Sequence, residues 1–372
     1  MIRPLLVATS YPADLSDWRG LFIRHLVDAL SRRSDIDLQL WLPPGETPPQ
    51  ARLITTIEDA DWLRRLMAAG GIAHSLRNNK SEGLITALQL LRRLRCAYRR
   101  SDAQLYHLNW LQNALPLPQN GRAVLIAVLG SDMQMLRLPG MRMLLRRAMR
   151  GRAVALCPNA EWMTTPLRRV FGDIAAVVPV PFGIDACWYA IQREWSDSRP
   201  ARWLAVTRLT SGKLGTLFEW CAPHFANGQR ELHLFGPMQE QIEVPRWIHY
   251  HGSATPQSLC NDWFPSAHGL ITLSRHAEGR PQVMLEAMAA GLPIIASRLP
   301  AHEDLLDHRG NGWLCDRATD VGEALVMFDD AMVNREAGVR ARAWAKREIG
   351  SWDDCAARYA KLYQDLLGRN AA

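Results

Sequence analysis

Short apolar runs alternate with amphipathic stretches along most of the chain. Pro4–Ser10, Leu38–Leu42, Ala103–Leu108, Ala123–Leu129 and Ala153–Cys157 read as buried strands. Between the first two, Gly20–Arg33 places Leu21, Phe22, Leu26, Val27 and Leu30 at helical spacing. Strands that alternate with helices predict a parallel sheet covered on both faces. The rhythm breaks over Pro181–Pro200, a stretch rich in Trp, Ser, Asp and Arg, and then restarts. Trp203–Thr207, Glu231–Phe235, Trp247–Tyr250, Gly269–Leu273 and Pro293–Ala296 are its strand candidates. The pattern predicts an α/β chain of two Rossmann-like domains, the second starting near residue 182. Ligands of such sheets lie beyond the carboxyl ends of the strands, so the loops there are where chemistry is expected.

Composition narrows the class. A length of 372 residues exceeds one typical core and suits two domains. An apolar content of 48% and a charged content of 22% are globular values. No apolar run approaches the roughly 18 residues of a membrane span, and MIRPLLVATSYP reads as a first strand and its turn rather than a signal peptide. The seven cysteines are scattered, odd in number and never spaced as metal ligands. They predict a reducing cytoplasm, no disulfide framework and no zinc. Charge is unevenly shared: 24 Lys+Arg stand against 14 Asp+Glu through Val180, and 20 against 23 after it. A basic first half and a near-neutral second half imply different partners for each.

The segment Ser274–Gly291 carries the chemistry. Leu270–Ser274 is a buried strand, Arg275–Arg280 a polar loop, and Pro281–Ala290 a helix. Pro281 fits the first helical position and Gly291 the C-terminal cap. The helix is apolar almost all round except at Glu286, and a carboxylate there is costly unless partnered. Glu286 is five residues in, so about 7.5 Å along the axis from the helix start. Glu278 precedes the helix, whose free N–H groups suit a phosphate. Two carboxylates can thus receive hydroxyls from both ends of one elongated ligand, with its phosphates between them. Spacing alone proves nothing, since about four acidic pairs eight apart would arise by chance in a chain of this composition.

The surrounding residues decide. EGRPQVMLEAMAAGLPIIAS closely resembles the E-x7-E signature of glycosyltransferase family 4 and that family's following Ala-x-Gly-x-Pro-x-x-x-Ser stretch. The resemblance covers nearly the whole chain, more strongly its second half. It implies a retaining transferase of GT-B architecture, with two Rossmann-like domains facing across a cleft. The implied boundaries are residues 1–181 for an acceptor-binding domain, 182–350 for a nucleotide-sugar-binding domain, and 351–372 for a C-terminal helix crossing back. Trp352 and Tyr363 resemble that helix, and Pro181-Phe-Gly183-Ile-Asp185 the domain junction.

The resemblance also assigns residues. Arg208 and Lys213 match the diphosphate-binding cations, which would stabilise the leaving group. Glu278 would meet sugar hydroxyls and Glu286 the ribose diol, with Gly279, Arg280 and Pro281 beside them at the donor. Phe235-Gly236-Pro237 and His251-Gly252-Ser253 match turns that border the base, which brings in Gly236 and Ser253. Glu303 and Asn311-Gly312 match the loops after the signature. In the first half, Tyr11–Gly20 resembles a loop that is often Gly-Gly and touches the donor; here only Gly20 remains. Leu129-Gly130-Ser131-Asp132 resembles His-Gly-x-Asp with leucine in place of the histidine, which leaves the donor sugar open. Asp132 is equally a helix N-cap. His107 and Asn109 occupy a strand end that often faces the acceptor, and His107 is equally a packing residue. No metal or other cofactor is implied, and no Asp-x-Asp cluster occurs.

Two basic stretches point to a surface. Leu84–Arg100 sets Leu84, Leu88, Leu91 and Tyr98 among arginines 92, 93, 95, 99 and 100; Met133–Arg152 pairs methionines with further arginines. Basic amphipathic helices can lie on anionic membranes, or simply pack on the sheet with solvated arginines. The expected partners are therefore a nucleotide-sugar donor, a glycan or lipid-linked acceptor and an anionic membrane surface, but no nucleic acid. The competing classes are an epimerase or phosphorylase on the same fold and a non-catalytic sugar-nucleotide binder. A nucleic-acid protein lacks any binding motif here, and a dehydrogenase lacks a G-x-G-x-x-G after the first strand.

Overall fold

A computed structural model describes residues 1–14, 17, 19–72, 79–194 and 200–371. The chain divides into two compact units, Met1–Phe182 with Trp352–Ala372, and Gly183–Ser351. The first holds seven strands: β1 (Pro4–Val7), β2 (Gln39–Trp41), β3 (Arg52–Leu53), β4 (Leu105–Asn109), β5 (Ala123–Val128), β6 (Val154–Pro158) and β7 (Ala176–Val177). They form one sheet in the order β3-β2-β1-β4-β5-β6-β7, parallel throughout. The second unit holds β8 (Ala201–Val206), β9 (Arg230–Phe235), β10 (Ile248–Tyr250), β11 (Gly269–Thr272), β12 (Ile294–Ser297) and β13 (Gly312–Cys315). Their order is β10-β9-β8-β11-β12-β13, again all parallel. Each order reverses once, between β1 and β4 and between β8 and β11. A crevice opens at such a reversal beyond the carboxyl ends of the two strands.

Strand periodicity explains the layers. In the first sheet Leu5, Val7, Tyr106, Leu108, Val124 and Ile126 face one side, while Leu6, Leu105 and Leu125 face the other. Both sides are buried, so these strands read as continuous apolar runs instead of alternating ones. Each large side chain so buried contributes roughly 1.5–3 kcal/mol. The helix Leu21–Ser31 and the C-terminal helix Trp352–Ala371 share one face, where Cys355, Tyr359 and Tyr363 are core residues of the first unit.

Several elements differ from their sequence reading. β3 and β7 have only two residues each and leave no periodic trace. Gly312, read as part of a loop, opens the edge strand β13. The Met133–Arg152 stretch is two helices, Gly130–Met135 and Met141–Met149, because Pro139-Gly140 breaks it and Gly140 turns the chain at φ 73°. Tyr98 is fully buried and Leu91 partly so, so the apolar side of Leu84–Arg100 is divided between core and surface. Parts of the Tyr11–Gly20 loop (15, 16 and 18) and of the junction (195–199) lie outside the described residues. Among the described residues, no helix is long and apolar enough to cross a membrane.

Candidate functional site

The loops after β8 and β11 meet where the second sheet reverses. After β8 the chain runs through Arg208 to a one-turn helix, Ser211–Leu214, capped by Thr210, whose hydroxyl accepts from the Lys213 N–H at 3.2 Å. Two backbone bonds stitch this turn to the β11 loop: Thr216 N–H donates to Leu273 at 3.1 Å, and Arg275 N–H to Gly212 at 2.9 Å. Gly215 permits the contact. It has φ 56°, and any Cβ there would lie 2.0 Å from the Leu273 carbonyl oxygen. The stitching sets Lys213 against Glu278, with Nζ 2.7 Å from Oε1 and side chains only 15% and 12% exposed.

The site is electrostatically coupled. Burial alone would raise Glu278, yet the Lys213 ammonium, aided by His302 and His276, holds its carboxyl below the usual range. Burial lowers Lys213, Glu278 opposes that, and the Arg208 cation lowers it further. Arg208 therefore lies within the field of Lys213, and its Nη1 also reaches the Gln239 side-chain Oε1 at 3.5 Å. The arrangement is a carboxylate–ammonium pair with a second cation beside it. It can bind an anion through the cations and hydroxyls through the carboxylate.

The helix carrying Glu286 spans Gln282–Ala289. Pro281 precedes it as N-cap, with extended ψ 118°, and does not occupy the first helical position. That shift costs nothing, since a proline cannot donate at either place. At the other end Gly291 takes φ 76°, Gly291 N–H bonds Met288, and Leu292 N–H bonds Ala287, which is a Schellman closure. Glu286 is half-buried, and its carboxyl makes no hydrogen bond or ion pair among the described residues. Burial, and then the carboxylate of Asp185, push it up to about 8. Asp185 itself caps the neighbouring short helix Ala186–Ala190 through Cys187 N–H.

Other predicted donor residues have structural occupations. Arg280 lies 3.8 Å from Asp304, an ion pair that ties the loop to the helix Pro300–Glu303, while Gly279 sits in the loop between Glu278 and that arginine. Gly236 is at φ 139° and presses on the Thr207 carbonyl at the end of β8, so the turn itself demands glycine. Ser253 is exposed in the turn after β10.

The first unit holds the remaining four. Gly20 is the N-cap of Leu21–Ser31 at φ 75°, and the approach it allows is to Ser10 of its own chain. His107 is fully buried, Nδ1 lies 2.5 Å from the Tyr363 hydroxyl, and its ring packs on Tyr359. Burial takes it down to about 3, so it stays neutral at ordinary pH. The sequence left two roles open for His107, and its surroundings are those of a packing residue. Asn109 is buried and donates to Val7 at 3.2 Å. Asp132 accepts from Leu129 N–H at 2.8 Å, as a cap residue does, and from Leu111 N–H at 3.1 Å. Burial pushes it up to about 7.

Two participants escape a sequence reading, His302 behind Glu278 and Asp185 as the neighbour of Glu286; Ser297, also behind Glu278, appears there only as the last residue of the Ala-x-Gly-x-Pro-x-x-x-Ser stretch, with no role. One signal was available for Lys213. The chain has four lysines among 44 basic residues, so a lysine in a strand-end loop stands out in a chain that otherwise uses arginine.

Comparisons with known proteins bear on the family and the fold. Residues 204–328 match the family model described as glycosyl transferases group 1, which covers Arg208, Lys213, Glu278 and Glu286. N-acetyl-α-D-glucosaminyl L-malate synthase of Bacillus anthracis is 30% identical over 101 residues, 26% of each chain. An uncharacterised glycosyltransferase of Haemophilus influenzae is 32% identical over 80 residues, 21% of this chain and 22% of the relative. The matches thus span about a quarter of these relatives' length. Among solved structures, sucrose-phosphate synthase from Thermosynechococcus elongatus aligns with a TM-score of 0.74 at 15% identity, over 99% of this chain and 100% of that one. Anabaena HepE, in complex with UDP and glucose, aligns with a TM-score of 0.68 at 13% identity, over 98% and 100%. At such identities the likeness is one of fold, that of the GT-B glycosyltransferases.

Proposed function

We propose that this chain is a group 1 glycosyltransferase that moves a hexose-type sugar from a nucleoside-diphosphate donor to a glycan or lipid-linked acceptor, with retention at the anomeric carbon. The observation that carries the reading is the Lys213–Glu278 pair, held by both strand-end loops at the sheet reversal with Arg208 beside it. Arg208 and Lys213 neutralise the diphosphate as it leaves, an interaction that strengthens as the charge develops. The anomeric carbon–oxygen bond to the diphosphate breaks, and the acceptor oxygen bonds to that carbon on the same face. The acceptor proton passes to the departing diphosphate oxygen. Glu278 receives sugar hydroxyls, and Glu286, whose carboxyl has no hydrogen-bond partner among the described residues, receives the ribose diol. The Bacillus anthracis relative carries the name of an N-acetyl-α-D-glucosaminyl enzyme and HepE is complexed with UDP and glucose, which supports a hexose on a nucleotide.

No step in this scheme uses a metal, so turnover should persist in EDTA. The decisive test is a panel of UDP-, GDP- and ADP-sugars, measuring binding, acceptor-free hydrolysis and sugar isomerisation. Binding of none by the wild-type protein sinks the reading. An epimerised donor released without acceptor would favour the epimerase alternative, and sugar phosphate formed from inorganic phosphate the phosphorylase.

An anionic membrane surface is the proposed setting, in the reducing interior of the cell where the free cysteines stay reduced. The helix Lys80–Arg100 exposes Leu84, Ile85 and Leu88 at 57–59%, and Arg92, Arg95 and Arg99 continue that side of the helix with no partner among the described residues. Other arginines of the basic half are committed internally: Arg93 and Arg100 to Asp59, Arg146 to Asp173 and Arg152 to backbone carbonyls. Flotation with phosphatidylglycerol vesicles tests this, and Leu88→Glu with Arg95→Glu should abolish it without changing Tm.

A further inference from the structure

Glu278 stands in a polar loop, and such loops do not hold a carboxylate in place unaided. The β11–β12 ladder ends at Thr272 and Ala296. Beyond it the strand ends are joined through side chains. The Ser297 hydroxyl donates to the Ser274 carbonyl at 2.6 Å. The Ser274 hydroxyl in turn donates to Glu278 Oε1 at 3.2 Å, shares the Gly212 carbonyl at 3.4 Å, and accepts from His276 N–H at 3.0 Å. Behind Ser297, His302 Nδ1 lies 2.7 Å from the Ser297 carbonyl. A carbonyl can only accept, so Nδ1 carries the proton and Nε2 is bare. That Nε2 is buried and has no hydrogen-bond partner among the described residues. The imidazole therefore makes a single side-chain bond, and that bond leads toward Glu278.

We infer that His302, Ser297 and Ser274 form a positioning relay for Glu278, fixing the carboxylate against Lys213 for contact with the transferred sugar. Neither Ser297 nor His302 touches Lys213 or Glu278 by any hydrogen bond, so they act through Ser274. The inference rests on the donor-site reading for its catalytic meaning, but its geometric content can be tested without a donor. A carboxylate loosened by about an ångström should lose much of its use to the reaction while the nucleotide contacts survive.

Lys213 supplies the readout. The chain's other lysines, Lys80, Lys346 and Lys361, are exposed and serve as internal references. Competitive acetylation with acetic anhydride, followed by peptide mass spectrometry, measures the reactivity of each. In Ser297→Ala and His302→Ala, Lys213 should acetylate several-fold faster relative to the three references, because its carboxylate partner no longer holds it charged. His302→Asn, whose amide nitrogen can stand near the Nδ1 position, should restore the wild-type ratio, and His302→Gln should not. An unchanged Lys213 ratio in Ser297→Ala, with the fold verified by circular dichroism, overturns the relay. So does an equal rise in Asn and Gln variants. With whichever donor the sugar-nucleotide panel identifies, Ser297→Ala should lower kcat about tenfold or more, leave UDP affinity within about twofold, and have no further effect in a Glu278→Gln background. An equal kcat loss in both backgrounds also overturns it. Failure of the wild-type protein to bind any sugar nucleotide refutes the donor-site reading instead, and leaves the acetylation result to stand by itself.

Discussion

The two sheets share a parallel topology with one reversal, yet their strand ends treat polar side chains in opposite ways. At the reversal of the first sheet, His107, Asn109 and Asp132 spend hydrogen bonds on Tyr363, Val7, Leu129 and Leu111. Their burial holds the histidine neutral and lifts the aspartate, and their bonds hold turns and a helix in place. At the reversal of the second sheet, Lys213 and Glu278 face each other as ions, Arg208 adds a like charge to the lysine, and the Glu286 carboxyl has no partner among the described residues. A folded chain rarely leaves charge arranged this way for its own sake, since buried polar groups are normally satisfied internally. The first arrangement anchors backbone and helix, with His107 Nε2 and Asn109 Oδ1 buried and without a hydrogen-bond partner among the described residues; the second gathers charge at the strand ends.

Substitutions can break that contrast or sharpen it. The largest effect is expected at Lys213→Met and Glu278→Gln, each lowering kcat by about 10²–10³-fold, as loss of a group acting on developing charge does; a loss below threefold would place the chemistry elsewhere. Asp132→Ala should act on folding instead. It strands two N–H donors and should cost about 1–3 kcal/mol in urea unfolding, with UDP affinity unchanged.

Glu286→Gln joins both regimes. With a folded value of about 8 against 4.5 for an ordinary glutamate, the folded chain keeps a proton that the unfolded chain releases between those values. Stability is therefore greatest below pH 4.5 and falls as pH rises toward 8. The glutamine variant should not show the fall, and so should gain on the order of 1–2 kcal/mol over wild type at pH 9 while matching it near pH 5. Isothermal titration should show the same variant binding the nucleotide more weakly. Tyr363→Phe is the smallest change, about 1 kcal/mol from loss of the His107 bond, and a greater effect on donor affinity than on stability would contradict the division drawn between the two sheets.

The sequence exposes these two ends unequally, for physical reasons. Buried parallel strands such as Ala123–Val128 announce themselves as apolar runs, so the α/β class and most strands were legible. Glu286 was legible because a lone acid in an apolar helix has no bland explanation. The partner of Glu278 was not, because the contact with Lys213 spans 65 positions and depends on Gly215 accepting the Leu273 carbonyl. Ser297 was visible as the last residue of the Ala-x-Gly-x-Pro-x-x-x-Ser stretch, but its bonding and that of His302 were silent for a related reason: their bonds go to backbone carbonyls, which leave no mark on residue type. In the first unit, the pattern could name His107 and Asp132 but could not say that α-helical Tyr363, 256 positions away, had already claimed the histidine.

That late claim bears on how the protein is made. The first unit takes Cys355, Tyr359, Tyr363 and Leu366 into a core built mostly before residue 182. A ribosome delivers them after the whole second unit, which is continuous and can close its own core as it emerges. The domain synthesised first must therefore wait longest, with part of one face of its sheet uncovered until the helix Trp352–Ala371 arrives. A stop codon near residue 350 would leave that part of the face open in every copy, and the consequence would be felt as aggregation of the nascent protein sooner than as lost turnover.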